Sequence, residues 1–252
     1  MHIAKYSANG NDFVIFHADK KEERYDLAKE LCHRQEGIGA DGLIVVVPHA
    51  EYDFEWEFYN SDGSHADMCG NGSRACAHYA YNNKLAPANM RFLTGAGVIS
   101  AEVTENTPKS GMVLSELTPP EILDDTIEFD GHSWWLINTG VPHLVRFTEN
   151  IEEFDKEEAR ELRYVYNANV NIMHVQDGNL RVRTYERGVE DETLACGTGM
   201  AACFYRAYKE GRVQNNIEVY PTSGDTLYIG VNERTITFKG RVKKTFETEW
   251  EV

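Results

Sequence analysis

Residues 69–76 read Cys-Gly-Asn-Gly-Ser-Arg-Ala-Cys, and residues 196–203 read Cys-Gly-Thr-Gly-Met-Ala-Ala-Cys. Both fit C-G-x-G-x-x-x-C, and the match runs on, with Ala80 and Tyr81 returning as Ala207 and Tyr208. The offset is 127 throughout (196 less 69, 208 less 81), about half of the 252 residues. Two copies at half-chain spacing suggest a duplicated domain, and the length suits two domains of ordinary size.

Each copy has the same physical logic. After the first cysteine, C-G-x-G makes a tight turn into small residues: Ala75, Cys76, Ala77 and Ala80, or Ala201, Ala202, Cys203 and Ala207. A helix that is small on several sides can be closely surrounded by sheet. Cys76 and Cys203 fall about two turns after their partners and point into the core. With Cys32 they read as buried small hydrophobes. Cys69 and Cys196 instead stand where each helix begins. Unpaired N–H groups and the positive dipole end lie there, which lowers a thiol's pKa and draws an anion. The glycines let backbone N–H groups approach a ligand. No Gly-Lys-Ser/Thr follows, so this is no Walker A loop. The spacing is not that of a metal site either.

Around the repeat the chain reads mostly as strands. Residues 3–6 and 13–16 are joined by an Asn-Gly turn, a helical spacing covers 24–35, and an apolar strand covers 43–47. Residues 51–59 alternate as a half-exposed strand, with Tyr52, Phe54, Trp56 and Phe58 on one face. Further strands are expected at 90–94, 98–104, 112–117, 133–138, 144–147, 169–175, 180–185, 217–220, 226–231, 235–239 and 244–250. A short acidic helix is expected near 152–163. Thr118-Pro119-Pro120 marks the boundary, giving domains 1–117 and 118–252, with the last strand a candidate to return to the first half. The expected class is α+β: two pseudo-repeated domains, each a mainly antiparallel sheet wrapped around one chief helix, without Rossmann alternation.

The formal charge of −16 argues against a nucleic-acid partner. No run approaches the length of a membrane span, and the N-terminus has no apolar leader core. An odd count of five cysteines without C-x-x-C suggests reduced thiols in the cytoplasm.

If the halves face each other, Cys69 and Cys196 meet across a cleft with both helix starts aimed at one carboxylate. A thiolate facing a thiol across a carbon is what two-base proton exchange needs. The helix starts would stabilise charge building on the carboxylate. The bland alternative is that duplication merely copied a structural cysteine.

At these residues the sequence resembles the diaminopimelate epimerase family of PLP-independent amino-acid epimerases. The resemblance rests on Gly10-Asn11-Asp12-Phe13, Gly39-Ala40-Asp41-Gly42, Tyr59-Asn60-Ser61-Asp62-Gly63, Met68 to Gly72, Gly140-Val141-Pro142-His143, Asn169-Val170-Asn171, and Glu186-Arg187-Gly188 leading to Ala195 to Gly199. It implies interconversion of LL- and meso-diaminopimelate, on the route to lysine and peptidoglycan, without cofactor or metal, in a homodimer. Cys69 would take the proton from the LL isomer and Cys196 return one. Gly70, Asn71, Gly197 and Thr198 would bind the reacting carboxylate through backbone N–H groups. Arg187 would hold the distal carboxylate. Asn11, Asn60 and Asn169 would supply donors and acceptors, and Glu186 would meet the reacting ammonium. His143 would line the cleft, while His65 and His78 read as structural. Val141 stands where some members have Asn, and Gly42 where some have Gln. The stretch from Arg187 to Cys196 is one residue longer than the shortest family versions. The rival readings are a proline racemase-like epimerase, whose substrate would not need Arg187 and the asparagines, and a non-catalytic amino-acid binding module.

Overall fold

The β-branched and aromatic runs of the sequence become strands in a computed structural model, which describes residues 1–251. The chain divides into two units: Met1–Glu116 together with the chain from Lys239 on, and Leu117–Phe238.

In the first unit the order is β1 (His2–Ala8), β2 (Asn11–His17), α1 (Tyr25–Cys32), β3 (Gly42–Val47), β4 (Phe54–Asn60), α2 (Gly70–Asn82), β5 (Asn89–Thr94), β6 (Gly97–Thr107) and β7 (Ser110–Glu116). Sequential strands are neighbours from β1 to β7. The closing strand is β16 (Thr235–Glu249), which lies beside β7 and pairs antiparallel with β1, from His2 opposite Glu249 to Ser7 opposite Lys243. The ring of strands encloses α2. Residues Gly70 to Ala80 of that helix are all buried, the small residues among them and Arg74, His78 and Tyr79 alike. Tyr6, Phe13, Phe54, Phe92 and Val113 pack around Ala75, Cys76, Ala77 and Ala80. On the outer face, α1 covers Val14, Leu43 and Val45 with Ala28, Leu31 and Cys32.

The second unit runs β8 (Glu121–Phe129), β9 (His132–Asn138), β10 (Pro142–Phe147), α3 (Lys156–Tyr166), β11 (Asn169–Gln176), β12 (Asn179–Glu186), β13 (Asp191–Thr193), α4 (Gly197–Lys209), β14 (Ile217–Tyr220) and β15 (Leu227–Asn232), then the start of β16. Its strand order is β8-β9-β10-β11-β12-β14-β15, with β13 on β12. Helix α4 packs on β9 to β12 and β15, and α3 covers Leu144, Val170 and Ile172 from the other side.

The duplication is explicit in the pairing. β2–β3 and β10–β11 are parallel, β3–β4 and β11–β12 antiparallel, β4–β5 and β12–β14 parallel. Each helix therefore links a parallel pair within sheets that are otherwise mainly antiparallel. The residue pattern alone did not suggest those crossovers. Three other details differ from the sequence reading. Strand β4 is not half-exposed: Glu57 and Tyr59 on its second face are buried, because α1 and the segment before it cover them. β8 was not expected. The last two expected strands are one, β16. Among the described residues no helix is long and apolar enough to cross a membrane.

Candidate active site

Parallel β2 and β3 start together, and antiparallel β4 ends beside them. This brings Asn11, Gly42 and Asn60 to one rim of the first sheet, with Gly42 opposite Asn60. Helix α2 begins at the same rim. Cys69 is its N-cap in extended conformation (φ −149°, ψ 117°), and its Sγ accepts the Gly72 N–H at 3.4 Å. The first intrahelical bond is Ser73 N–H to Cys69 O, so the N–H groups of Gly70 and Asn71 lie ahead of it.

A directed row of hydrogen bonds fixes this helix start. Arg74, wholly buried, donates to Asn9 Oδ1 (2.6 Å), Asn71 Oδ1 (2.7 Å) and the Gly70 carbonyl (3.1 Å). Asn71 Nδ2 donates to Asn11 Oδ1 (2.6 Å), and Asn11 Nδ2 to Asp41 Oδ2 (3.2 Å). A guanidinium only donates and a carboxylate only accepts, so both amide orientations are set from the ends of the row. Burial by itself would raise the Asp12 carboxyl, but hydrogen bonds from Arg34 and Lys5 hold it below the usual carboxylate range. Asn60 Nδ2 donates to Ser64 Oγ at 3.0 Å.

The second unit repeats the rim with Asn169 at the start of β11 and Glu186 at the end of β12. Cys196, 9 % exposed, is the N-cap of α4 (φ −120°, ψ 108°). The first intrahelical bond is Met200 N–H to Cys196 O, which places the Gly197 and Thr198 N–H groups at the helix start. Thr198 Oγ1 lies 3.5 Å from Cys196 Sγ and 2.9 Å from His143 Nε2. His143 is buried, and Asn171 Nδ2 donates to its Nδ1 at 3.1 Å. Burial, reinforced by the Arg187 charge and opposed by the Asn171 hydrogen bond, pushes the His143 pKa down to about 3. Asn169 Oδ1 accepts the Arg187 N–H (2.8 Å), its Nδ2 donates to the Pro142 carbonyl (3.2 Å), and Arg187 Nη1 donates to the Asn167 carbonyl (2.8 Å).

The structure thus gathers Asn11, Asn60, Cys69, Gly70 and Asn71 at one rim, and Asn169, Glu186, Arg187, Cys196, Gly197 and Thr198 at its counterpart. Asn11 Oδ1 and Asn169 Oδ1 each accept one hydrogen bond, and each Nδ2 donates one, which fixes both amide orientations. A side chain at Gly42 would collide with the Phe58 ring (2.6 Å) and the Tyr59 carbonyl (2.8 Å), which accounts for glycine there. Sequence reading missed Arg74, Thr184 and the inward-facing Asn171. Arg74 has Asn71 and His78 on its own helix face, Thr184 follows Arg183, and Asn171 shares its strand face with Asn169, so no local pattern set them apart. Cys76 and Cys203 are buried with their thiols pushed up by burial, and Cys32 is raised to about 12 for the same reason. His78 is buried beside Tyr6 and Asn82, and His65 stacks on Tyr59. Among the described residues no cluster of three or more His, Cys, Asp or Glu is placed to hold a metal ion.

Comparison with known proteins gives a consistent result. The family model for diaminopimelate epimerase matches residues 3–123 and 135–244. The chain is 61% identical to a diaminopimelate epimerase of a Nitratiruptor species, over 98% of each chain. It is 55% identical to one from Campylobacter jejuni subsp. jejuni, over 99% of each. Among solved structures, a probable proline racemase from Agrobacterium radiobacter K84 superposes with a TM-score of 0.78 at 12% identity, covering 100% of this chain and 93% of that one, which shows a shared fold.

Proposed function

The chain belongs to the diaminopimelate epimerase family and is an amino-acid isomerase, and we propose that it inverts the α-carbon of diaminopimelate by proton exchange between Cys69 and Cys196. One observation carries the reading: two cysteines cap equivalent helices of a duplicated fold, each beside N–H groups at the helix start. One thiolate removes the α-proton, leaving a carbanion whose charge spreads into the carboxylate. The other thiol then delivers its proton to the opposite face, so thiol and thiolate exchange identities. The N–H groups of Gly70, Asn71, Gly197 and Thr198 stabilise the charge that builds on the carboxylate. In the LL to meso direction Cys69 is the base and Cys196 the acid.

At the far end, Arg187 with the remaining amide hydrogens of Asn11 and Asn169 binds a second carboxylate. Asn60 and Glu186 serve the ammonium groups. This demand for two amino-acid ends favours diaminopimelate over proline, and hence a place in lysine and peptidoglycan-precursor synthesis. We also infer a cytoplasmic homodimer that binds neither nucleic acid nor membrane; the formal charge of −16 supports the lack of a nucleic-acid partner, and five cysteines without C-x-x-C spacing support a reducing compartment.

The test is proton NMR of LL-diaminopimelate in D₂O with reduced enzyme. Loss of the α-proton signal, appearance of the meso isomer and abolition by Cys69→Ala or Cys196→Ala are expected. Exchange of proline with diaminopimelate untouched would overturn the substrate. Binding of diaminopimelate without exchange would overturn the chemistry.

A further inference from the structure

The duplicated hairpins ahead of the two cysteines differ in length. Leu43 and Val170 are 127 residues apart, and they stand opposite Tyr59 and Tyr185 in the β3–β4 and β11–β12 ladders. Those tyrosines are 126 apart, yet Cys69 and Cys196 are again separated by 127. The second unit therefore carries one extra residue between Tyr185 and Cys196. The pairing agrees, since Tyr59 bridges to His65 whereas Tyr185 pairs with Glu192, one position further along. Glu186 and Arg187 stand on the first arm of this longer hairpin, and Cys196 follows its second arm.

The extra length is absorbed at Glu190, whose backbone is left-handed (φ 60°). A residue other than glycine holds that conformation where its surroundings impose it. Here they do. The Glu190 N–H donates to the Glu186 carbonyl (2.8 Å), and its own carbonyl accepts the Tyr185 hydroxyl (2.8 Å). Its Oε1 accepts the Gly188 N–H (3.0 Å) and the Arg163 guanidinium (Nε 2.8 Å, Nη2 2.7 Å). Arg163 lies in the last turn of α3, four residues before the C-cap Asn167, and the Asn167 carbonyl accepts Arg187 Nη1 at 2.8 Å. Helix and hairpin each supply an arginine to the other. Asn169 Oδ1 completes the attachment by accepting the Arg187 backbone N–H. The first unit's shorter loop instead closes on itself, with the Asn60 N–H on the Ser64 carbonyl and the Ser64 N–H on Asp62.

We propose that Arg163 and Glu190 are positioning residues that fix the longer hairpin on the end of α3, so that Arg187 is aimed at the distal carboxylate of the substrate. An ion pair this near the surface adds little to stability, so its effect lies in geometry. A guanidinium meets a carboxylate with two parallel bonds only when its plane is set. Both the backbone and the fork of Arg187 are tied to the segment that ends α3 and begins β11, and Glu190 ties the far side of the same turn. The pair Lys156–Asp191 (2.7 Å) is exposed on both sides and joins the outgoing arm to the start of α3, which makes it the contrast.

The inference rests on Arg187 being the distal carboxylate ligand, and its test reads the hairpin apart from that reading. Hydrogen–deuterium exchange of residues 185–191 is followed by mass spectrometry in the full-length parent, Arg163→Met, Arg163→Lys, Glu190→Ala and Lys156→Met, beside steady-state kinetics with diaminopimelate. The Arg187, Gly188 and Glu190 N–H groups are all bonded in this stretch. Arg163→Met and Glu190→Ala are expected to speed its exchange about tenfold while α3 keeps the parent rate. Both raise KM about tenfold and leave kcat within about twofold of the parent. Arg163→Lys retains a cation and stays near the parent in both readouts, as does Lys156→Met. Should Glu190→Ala not fold, the contrast between Arg163→Met and Arg163→Lys decides alone. Unchanged exchange in Arg163→Met, faster exchange with an unmoved KM, or a loss confined to kcat overturns the proposal. Faster exchange beside a parent that leaves diaminopimelate untouched upholds the attachment and instead overturns the substrate.

Discussion

Gly199 and Asn171 approach so closely that a Cβ built on the glycine would overlap Asn171 Oδ1. Its duplicate, Gly72, is only tight, with Cys69 Cβ and Ile44 Cδ1 each 3.3 Å from such a Cβ. The asymmetry has a cause. Ile44 can shift by a few tenths of an ångström, whereas Asn171 is held at both its oxygen and its nitrogen. Gly199→Ala should destabilise by roughly 2 kcal/mol more than Gly72→Ala, by overpacking and a broken hydrogen-bond row. Urea denaturation of the two variants measures the difference.

His143 makes stability depend on pH. Its folded pKa is depressed from the ordinary 6.5 to about 3, so between those values the unfolded chain binds a proton that the folded chain does not. Stability rises with pH wherever the unfolded state holds more protons. The contribution is therefore intact above about pH 6.5 and lost progressively as pH falls toward 3, amounting to several kcal/mol at full extent. Urea midpoints recorded from pH 7 to 4 should fall less steeply in His143→Gln than in the parent.

Arg74 has an analogous task in the first unit. Its three acceptors, Asn9, Asn71 and Gly70, are what keep the residue 9–11 turn against the start of α2. Arg74→Met fills the space but strips these acceptors of their charged donor, at a cost on the order of 3 kcal/mol. Because Asn11 loses its fixed orientation, KM for diaminopimelate should rise as well. Thermal unfolding and steady-state kinetics check the two effects separately.

What was legible in the sequence followed local periodicity and local chemistry. The C-G-x-G repeats announced both helix starts, and strands that alternate, such as β5 with Met90, Phe92 and Thr94 buried, announced themselves. Strand β8 did not, because only Ile127 of its nine residues is buried and no alternation survives. Strands were expected separately at 235–239 and 244–250, yet β16 runs from Thr235 to Glu249 without a break. The buried Asn171 and Thr184 of the second unit were illegible for a different reason. A polar residue in a strand reads as outward until its register against the duplicate shows which face it lines. Likewise the cover that α1 and the segment before it give the second face of β4 cannot be read from β4 itself.

Glu57 illustrates that last point and is testable. It is 4% exposed and bound to Arg24 Nη1, itself nearly buried, and it accepts the Glu22 N–H at 3.0 Å. Burial lifts the Glu57 carboxyl above its usual range, with the Arg24 charge opposing. Glu57→Ala leaves the Arg24 guanidinium buried without its carboxylate, and breaking such a pair costs about 3–5 kcal/mol. The double variant Glu57→Leu with Arg24→Met should recover most of that loss in urea titration, since a packed apolar pair carries no buried charge.

The distal half of the proposed site makes the sharpest functional prediction. Asn169 uses its oxygen on the Arg187 backbone N–H and one amide hydrogen on the Pro142 carbonyl, leaving one hydrogen to turn outward. Asn169→Asp keeps the first bond, replaces the second by two opposed oxygens, and sets a negative charge where a substrate carboxylate is proposed to lie. Chemistry at the α-carbon involves none of these atoms, so the loss should fall on binding. KM for diaminopimelate is expected to rise 100-fold or so, about 2.7 kcal/mol at 1.36 kcal/mol per tenfold step. The kcat at saturation should stay within about fivefold of the parent. A ligand without a distal carboxylate would be insensitive to the change, so binding of diaminopimelate and of a mono-amino acid to both proteins, measured by calorimetry, separates a lost carboxylate site from a general loosening of β11.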